Sequence, residues 1–311
     1  MKHHILVATV VVGFLLMTAC GPSAEKSGTP QESAIEGSAE ILCDEEIIDL
    51  LAASKALYDK ANPKASITLT PVTAFDGAAA LLRHDARALV MARDWTPEED
   101  TIVGADRGSE GFPRTLIARD ALVFFAATNF PYDTLNADDI KTWLKGGTVA
   151  KTVYPKISKP PTFIVSGSGS SVYGNIVNVV LGGQEPKQGT VASLRTRDSV
   201  IAGVAANPSL IGVGYLSQLV GRSDVKMLRL SFIDAKGEYV RPKPVHQSYL
   251  VMGKYPFPVP IYITLRDRAS NYNLPSGFML FVARDGSAQR TFLDAGIEPG
   301  YAKIELVLPE E

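Results

Sequence analysis

The chain has little cysteine, little histidine and almost no net charge, and each shortage excludes a class of protein. Two cysteines among 311 residues cannot build a disulfide scaffold, and four histidines give no zinc-binding or catalytic spacing. The formal net charge of −2 argues against nucleic acid as a partner, because a phosphate backbone requires a basic face. No metal, cofactor or nucleic acid is therefore expected.

The composition and the length predict a globular body of two lobes. Hydrophobic residues make up 46% of the chain and charged residues 21%, which is ordinary for a folded protein. A single hydrophobic core stops growing at about 250–300 residues. The 311 residues therefore favour two lobes over one.

An uncharged apolar run, Ile5 to Met17, follows Lys2 near the N-terminus. Its 13 residues are fewer than the about 20 that are needed to span a bilayer. The run therefore predicts that residues 1–19 are a signal peptide, and a weak transmembrane anchor is the alternative. The following Thr18-Ala19-Cys20 resembles the end of a bacterial lipoprotein signal. This resemblance implies that Cys20 is acylated and anchors the protein to a membrane of the cell envelope, in the periplasm or at the cell surface.

Residues 20–38 are rich in Gly, Pro, Ser and Glu and contain no aromatic residue. Such a segment cannot bury enough apolar surface to order itself, which predicts a flexible linker after Cys20. Cys43 is then the only thiol of the folded body and is expected to be buried and inert.

Short strands and helices alternate along the body. Strand patterns at 39–43, 66–72 and 88–92 enclose helical patterns at 45–62 and 75–83, an order that predicts a parallel sheet covered by helices. Further on, the sequence predicts strands at 162–165 and 211–215 and helices at 136–144, 172–181, 199–206 and 276–293.

Two long segments predict crossings between the lobes. Arg114 to Ala127 is an apolar strand of 14 residues, longer than a usual strand, and Tyr255 to Leu265 is aromatic and β-branched with three prolines. These crossings divide the body into lobe I, residues 39–118 plus 256–311, and lobe II, residues 119–255.

Six consecutive Ser and Gly residues, 166–171, stand between a predicted strand and a predicted helix. Backbone N–H groups, hydroxyls and a helix N-terminus together can hold a tetrahedral oxyanion without a lysine. The loop lacks the Lys-Ser/Thr of a Walker loop, the glycine spacing of a dinucleotide site and the pattern of a nucleophile elbow. An ordinary capped turn between strand and helix is the alternative.

Four segments carry a resemblance to a known family. They are Ser166 to Ser171, Ala88 to Glu99, Ile117 to Val123 followed by Leu135 to Gly146, and Asn207 to Tyr215 followed by Gly253 to Pro256 and Ile261-Tyr262. In this order they resemble the phosphate-binding proteins that serve phosphate ABC transporters, over about residues 39–305.

The resemblance implies an α/β fold of the type II periplasmic-binding-protein class, with two lobes, mixed but mostly parallel sheets, flanking helices and a two-strand hinge. It also implies a monomeric solute-binding protein, not an enzyme. The protein would capture phosphate or a related oxyanion between the lobes and pass it to an ABC permease.

The resemblance assigns candidate ligand residues. Arg93 is the candidate cation, although an ion pair with Asp94 or with the helix start at Pro97-Glu98 is the alternative. The remaining donors are those of the loop: Ser166, Gly167, Ser168, Gly169, Ser170 and Ser171.

The acidic residue that the family places before this loop is missing, since Ile164 and Val165 stand there. Monohydrogen phosphate carries a proton and needs an acceptor, because an unpaired buried polar group costs about 1–3 kcal/mol. Either Asp44 or Asp76 supplies that acceptor, or the ligand is not phosphate. Alternatively, Asp44 and Glu45 are charges at a helix start.

Two other functions remain open from the sequence. One is an envelope lipoprotein that binds no ligand and uses the same fold for sensing or assembly. The other is a phosphate-ester hydrolase using Ser168 or Ser170, which lacks an evident base because only His84 and His246 follow the signal peptide.

Overall fold

The structure is a computed structural model that describes residues 32–267, 273–301 and 308. The signal peptide, Cys20 and most of the linker, all predicted from sequence, lie outside the described residues, as does most of 302–311. The strands are β1 (Gly37–Asp44), β2 (Ala65–Val72), β3 (Ala88–Met91), β4 (Arg114–Ala127), β5 (Thr134–Asn136), β6 (Thr162–Val165), β7 (Val191–Ser193), β8 (Leu210–Tyr215), β9 (Val225–Met227), β10 (Arg229–Ile233), β11 (Tyr239–Val240), β12 (Pro258–Leu265) and β13 (Glu298–Pro299).

The helices cover the strands and follow most of them in chain order. They are α1 (Ile48–Ala61), α2 (Ala74–Leu82), α3 (Pro97–Arg107), α4 (Ala137–Leu144), α5 (Ser171–Asn175), α6 (Arg197–Ala206), α7 (Leu216–Leu219), α8 (Gln247–Val251), α9 (Leu274–Arg284) and α10 (Gly286–Asp294). Thr96 caps α3 through a capping box with Glu99, and Pro97 occupies the first helical position, as the sequence predicts.

The main sheet has the strand order β2-β1-β3-β12-β4-β8-β6-β7. β1 pairs in parallel with β2 and β3, which confirms the parallel β-α-β-α-β unit predicted from the sequence. A separate small sheet has the order β11-β10-β5.

β4 joins two groups of strands. Its first half pairs antiparallel with β12, from Arg114 opposite Thr264 to Ala121 opposite Pro258. Its second half pairs antiparallel with β8, from Leu122 opposite Tyr215 to Phe125 opposite Gly212. We call the strands on the β1 side sheet I (β1, β2, β3, β12) and those on the β8 side sheet II (β6, β7, β8, β9).

The core continues through β4 from one sheet to the other. Ile117, Phe124 and Phe125 of β4 are all buried, as is Trp143 of α4. Cys43 is fully buried in β1, as expected, and burial raises the pKa of its thiol.

Two helix predictions are wrong in detail. The pattern at 276–293 predicts one helix, but the chain forms α9 and α10, because Asp285 leaves helical geometry and caps α10 by accepting from the Ser287 and Ala288 N–H groups. The pattern at 172–181 predicts an α-helix, but only α5 is α-helical, and a π-helical turn, Ile176–Val180, follows it.

Residues 32–38 contact the body although the sequence assigns them to the linker. Glu32 forms two hydrogen bonds with the Arg87 guanidinium, at 2.6 and 2.7 Å, and also accepts one from the Leu274 N–H. The Tyr58 hydroxyl donates to Ala34 O at 2.7 Å. The folded body therefore includes residues before the predicted boundary at 38/39.

Candidate functional site

The carboxyl ends of strands from both sheets meet at one edge. Asp44 ends β1 and Ala92 follows β3 in sheet I, while Ser166 follows β6 and Leu216 follows β8 in sheet II. Ligands of open α/β sheets bind beyond the carboxyl ends of their strands. This edge is therefore the candidate site.

Glu46 links the two sheets at this edge. The Ser166 hydroxyl donates to one of its carboxylate oxygens, and Gln218 Nε2 donates to the other at 3.0 Å and to Glu46 O at 2.8 Å. Burial raises the pKa of Glu46, and the Asp44 charge adds to that rise, whereas the hydrogen bonds from Ser166 and Gln218 oppose it. A carboxylate from the turn after β1 therefore stands beside the Ser/Gly loop, whose own segment has none.

Asp44 is fully buried at the end of β1. Its carboxylate accepts from the Glu46 N–H and the Ala92 N–H, each at 3.1 Å. Burial raises the pKa of Asp44, whereas the hydrogen bonds from Ser171, Ala92 and Glu46 lower it in part. Because α1 begins only at Ile48, Asp44 does not cap that helix.

A chain of hydrogen bonds continues from Ser171 into sheet II. The Tyr215 hydroxyl donates to Ser171 Oγ at 2.7 Å, and Asn175 Nδ2 donates to the Tyr215 hydroxyl at 2.9 Å and to Ala92 O at 2.7 Å. Burial raises the pKa of Tyr215 well above its ordinary value, so it remains a neutral donor. Side chains of α5 and β8 thus bind the backbone that follows β3.

Arg93 is buried and forms a bidentate ion pair with Glu99. Its two terminal nitrogens lie 2.6 and 2.7 Å from the Glu99 carboxylate oxygens, and Nη1 also donates to Asp94 O at 2.9 Å. The sequence offers the helix start at Pro97-Glu98 as an alternative partner for Arg93, and the actual partner, Glu99, is the next residue of that helix. Gly174 makes room for this side chain, because a Cβ there would lie 2.7 Å from Arg93 Cδ.

The Ser/Gly loop contacts the segments that follow β1 and β2. Ser166 binds Glu46, and Gly169 O accepts from the Phe75 N–H at 3.0 Å, so the first turn of α2 touches the loop. Ser170 caps α5 by accepting from the Tyr173 N–H. Gly167 adopts φ +140°, a backbone conformation that side chains rarely allow.

Asp76 and Ser168 lie apart from this buried cluster. Asp76 is exposed in the first turn of α2 and accepts from the Thr73 hydroxyl at 2.8 Å, so its role as a ligand stays a prediction. Ser168 is exposed at the tip of the loop. The buried cluster is therefore made of Asp44, Ser166 and Ser171 among the predicted residues, together with Glu46, Asn175, Tyr215 and Gln218.

Those last four residues were not predicted. Glu46 had the clearest signal, since it stands two positions after Asp44 at a strand end. Tyr215 ends β8 and Gln218 lies in α7, and nothing in their spacing indicates that they reach residues more than 120 positions away.

Asp120 is a second buried carboxyl, located on β4 where the two sheets join. It accepts from the Ala121 N–H at 2.7 Å and the Ser217 N–H at 3.3 Å. Burial raises its pKa to about 6 even though hydrogen bonds from Ser217 and Ala121 oppose the rise.

Among the residues that the structure describes, neither a histidine nor a carboxylate contacts the hydroxyl of Ser168 or Ser170, the two serines of the hydrolase alternative. His84 lies 3.3 Å from Asp106, and His246 caps α8 through the Ser248 N–H. The Ser170 hydroxyl donates to Gly167 O at 2.8 Å. The serine-hydrolase alternative therefore gains no support from the geometry.

Comparison with known families decides the classification. A model described as a PBP superfamily domain matches residues 28–285. The chain belongs to this superfamily. The α/β two-lobe binding-protein fold predicted from the sequence is thereby confirmed.

Solved structures with low sequence identity share this fold. A protein assigned as a phosphate ABC transporter substrate-binding protein from Clostridium perfringens, solved with bound phosphate, is 15% identical with a TM-score of 0.67, over 85% of this chain and 99% of that one. An ABC-type phosphate transport receptor from Vibrio cholerae is 13% identical with a TM-score of 0.63, over 85% and 100%. PstS from Borrelia burgdorferi is 17% identical with a TM-score of 0.53, over 85% and 99%.

The comparison with curated protein sequences gives no match. Within residues 32–267 and 273–301, no helix of this PBP superfamily protein has the length and apolarity to span a membrane. Across the same described ranges, His, Cys, Asp and Glu form no group of three or more that suits a metal ion.

Proposed function

We propose that this protein is the solute-binding component of an ABC-type importer and that it captures phosphate or a related tetrahedral oxyanion. The oxyanion binds where the Ser/Gly loop of sheet II faces the ends of β1 and β3. Lobe I, residues 39–118 plus 256–311, and lobe II, residues 119–255, close on it about the two crossings at β4 and β12. The protein acts as a monomer and delivers the oxyanion to an ABC permease.

The hydrogen bond from Ser166 to the Glu46 carboxylate carries this proposal. It supports the view that donors of the loop are arranged for an anionic oxygen, because in this chain they already hold one. Gln218 supplies a second donor to the same carboxylate at 3.0 Å. Several charge-assisted hydrogen bonds of about 1.5–3 kcal/mol each are enough for a micromolar dissociation constant, or about −8.2 kcal/mol.

Asp44 suits the role of proton acceptor better than Asp76. It is fully buried within the cluster, whereas Asp76 is exposed on α2. A buried carboxylate accepts the proton of monohydrogen phosphate and repels sulfate, which has no proton to donate at neutral pH. Phosphate should therefore bind more tightly than sulfate.

Titration calorimetry with phosphate and sulfate tests the proposal. We expect micromolar affinity for phosphate and weaker binding of sulfate. Gly169→Val should remove binding, because a Cβ at residue 169 already lies 3.2 Å from Thr73 Oγ1 and a larger side chain holds the loop away from sheet I. Gly104→Ala is the control, since its Cβ meets nothing within 4 Å. No heat with either anion overturns the proposal.

One observation favours the second candidate, an envelope lipoprotein that binds no solute. Three of the groups expected to bind the anion already have protein partners, namely Glu46 for Ser166, Tyr215 for Ser171 and Glu99 for Arg93. A fold used only for sensing or assembly needs no free donors. Absence of any oxyanion binding in calorimetry supports this candidate.

We further propose that Cys20 is acylated and anchors the protein to the cell envelope. The sequence that supports this is the short apolar run followed by Thr18-Ala19-Cys20. Metabolic labelling with a palmitate analogue should tag the wild-type chain and not Cys20→Ser. Equal labelling of the two chains contradicts the anchor.

A further inference from the structure

A cavity of about 610 Å³ lies beside the Ser/Gly loop, on the side away from Glu46. It is enclosed by α2, by α3 with the turn before it, and by the loop with α5. We propose that this cavity holds the organic substituent of the solute, so that the solute is an organophosphonate or phosphate monoester with a small apolar group. The proposal rests on the function proposed above and specifies its substrate class.

The walls of the cavity are largely apolar. Phe75 of α2 and Ile102 of α3 are 62% and 49% exposed, although both are large hydrophobic side chains. Between them the walls are completed by Ala79, Leu82, Pro97 and Val177. Covering these groups with an apolar substituent removes apolar surface from water and is favourable.

The loop supplies the polar end of the cavity. Ser168, Gly169 and Ser170 all line it, and Ser168 Oγ has no protein hydrogen-bond partner among the described residues. An oxyanion held by the loop, with its substituent directed past Ser168, places that substituent against Phe75 and Ile102. The arrangement is typical of small-molecule sites, which are mainly apolar and have a few polar groups that fix orientation.

The floor of the cavity carries no net charge. Arg93 and Glu99 both line it, and each neutralises the other through the bidentate pair. The other charged lining residues are Arg83, Glu98 and Glu185, which are exposed. Arg83 pairs with Asp85 at 3.0 Å. Salt screens exposed charges, which limits the repulsion of a bound anion by Glu98 and Glu185.

The size of the cavity favours an organic solute over an inorganic ion. Pockets for small organic molecules measure about 300–1,000 Å³, a range that includes this one. By contrast, the cavity that Glu46 and Ser166 line measures about 10 Å³. The cavity beside Ser168 therefore has space for a substituent, and the one beside Ser166 does not.

Calorimetry with three probes tests the substrate class on the full chain. Phenylphosphonate should bind at least tenfold more tightly than inorganic phosphate, and benzyl alcohol, which has the ring without the anion, should bind far more weakly than phenylphosphonate. Equal affinities for phenylphosphonate and phosphate overturn this inference and leave the proposed function standing. Benzyl alcohol binding as tightly as phenylphosphonate overturns the role of the loop. No binding of either anion overturns the proposed function as well.

A matched pair of variants locates the substituent. Ile102→Ser should weaken phenylphosphonate binding several-fold and leave phosphate binding unchanged. Leu280→Ser is the control, because Leu280 is 48% exposed on α9 and does not line the cavity. Ala79→Phe, which fills the cavity, should remove the preference for phenylphosphonate. If Ile102→Ser weakens both anions equally, or if Leu280→Ser matches it, the cavity does not hold the substituent.

Discussion

The Ser166 hydroxyl donates a hydrogen bond to the Glu46 carboxylate across 120 positions of sequence. The two residues follow strands of different sheets, and their bond lies at the edge where those strands end. The carboxylate therefore uses the kind of donor that an incoming oxyanion needs, which makes Glu46 a competitor for the site.

Replacing Glu46 by Gln should raise the affinity for phosphate about tenfold, equivalent to about 1.4 kcal/mol. The substitution keeps a side-chain acceptor for Ser166 and removes a buried negative charge that repels the anion. Calorimetric titration of the two chains measures the change.

Glu45→Gln is the matched control, because Glu45 is adjacent in sequence but exposed to solvent. It should alter phosphate affinity by less than about twofold, as screened surface charges do. An affinity gain in Glu45→Gln as large as that in Glu46→Gln contradicts a specific role for Glu46.

Arg93→Met should destabilise the protein by about 3–5 kcal/mol, because it leaves the buried Glu99 carboxylate without its partner. Glu99→Gln should also be destabilising, yet it keeps an acceptor for the Thr96 N–H. The double variant should cost clearly less than the sum of the two single changes. Urea denaturation of the four chains provides the double-mutant cycle, and additive costs argue against a coupled pair.

Asp120→Asn should stabilise the protein at pH 8 by up to about 3 kcal/mol and have little effect below pH 4. The pKa of Asp120 is about 6 in the folded protein against an ordinary 3.8, so its ionised form is disfavoured by folding. Its contribution to stability is therefore fully present below about pH 4 and is lost as the pH rises through about 6.

Denaturation midpoints at five pH values between 4 and 8 test this, with exposed Glu238→Gln as the control. A stabilisation by Asp120→Asn that does not change with pH shows that ionisation of Asp120 is not its cause.

Gly212→Ala should destabilise the protein by about 1–3 kcal/mol or more, because the ring of Phe125 occupies the place of the new methyl group. Adding Phe125→Leu should recover part of that loss. Gly104→Ala should instead stabilise α3 by about 0.5–1 kcal/mol, since its methyl group meets no atom within 4 Å. Thermal melts compare the chains, and equal effects of the two glycine substitutions contradict the packing argument.

Local pattern was enough to predict most of the elements and their order. The apolar strand Arg114–Ala127 has the same bounds in the structure as in the sequence pattern. A long apolar run can be recognised as a strand without knowing which other strands pair with it. The helix at 276–293 was predicted as one piece because its apolar spacing continues through Asp285, and only the cap formed there divides it. Strands of two or three residues, such as β5 and β11, are too short to show the alternation of apolar and polar residues by which a strand is predicted.

The sequence by itself determined the class of fold and the place of the Ser/Gly loop, because strand and helix periods and a run of small residues are local properties. Only the tertiary structure decided which side chains face that loop. Glu46 reaches Ser166, and Tyr215 reaches Ser171, because sheet pairing through β4 brings together strand ends that are far apart in the chain. Such contacts depend on register and crossing geometry, which no short stretch of residues encodes.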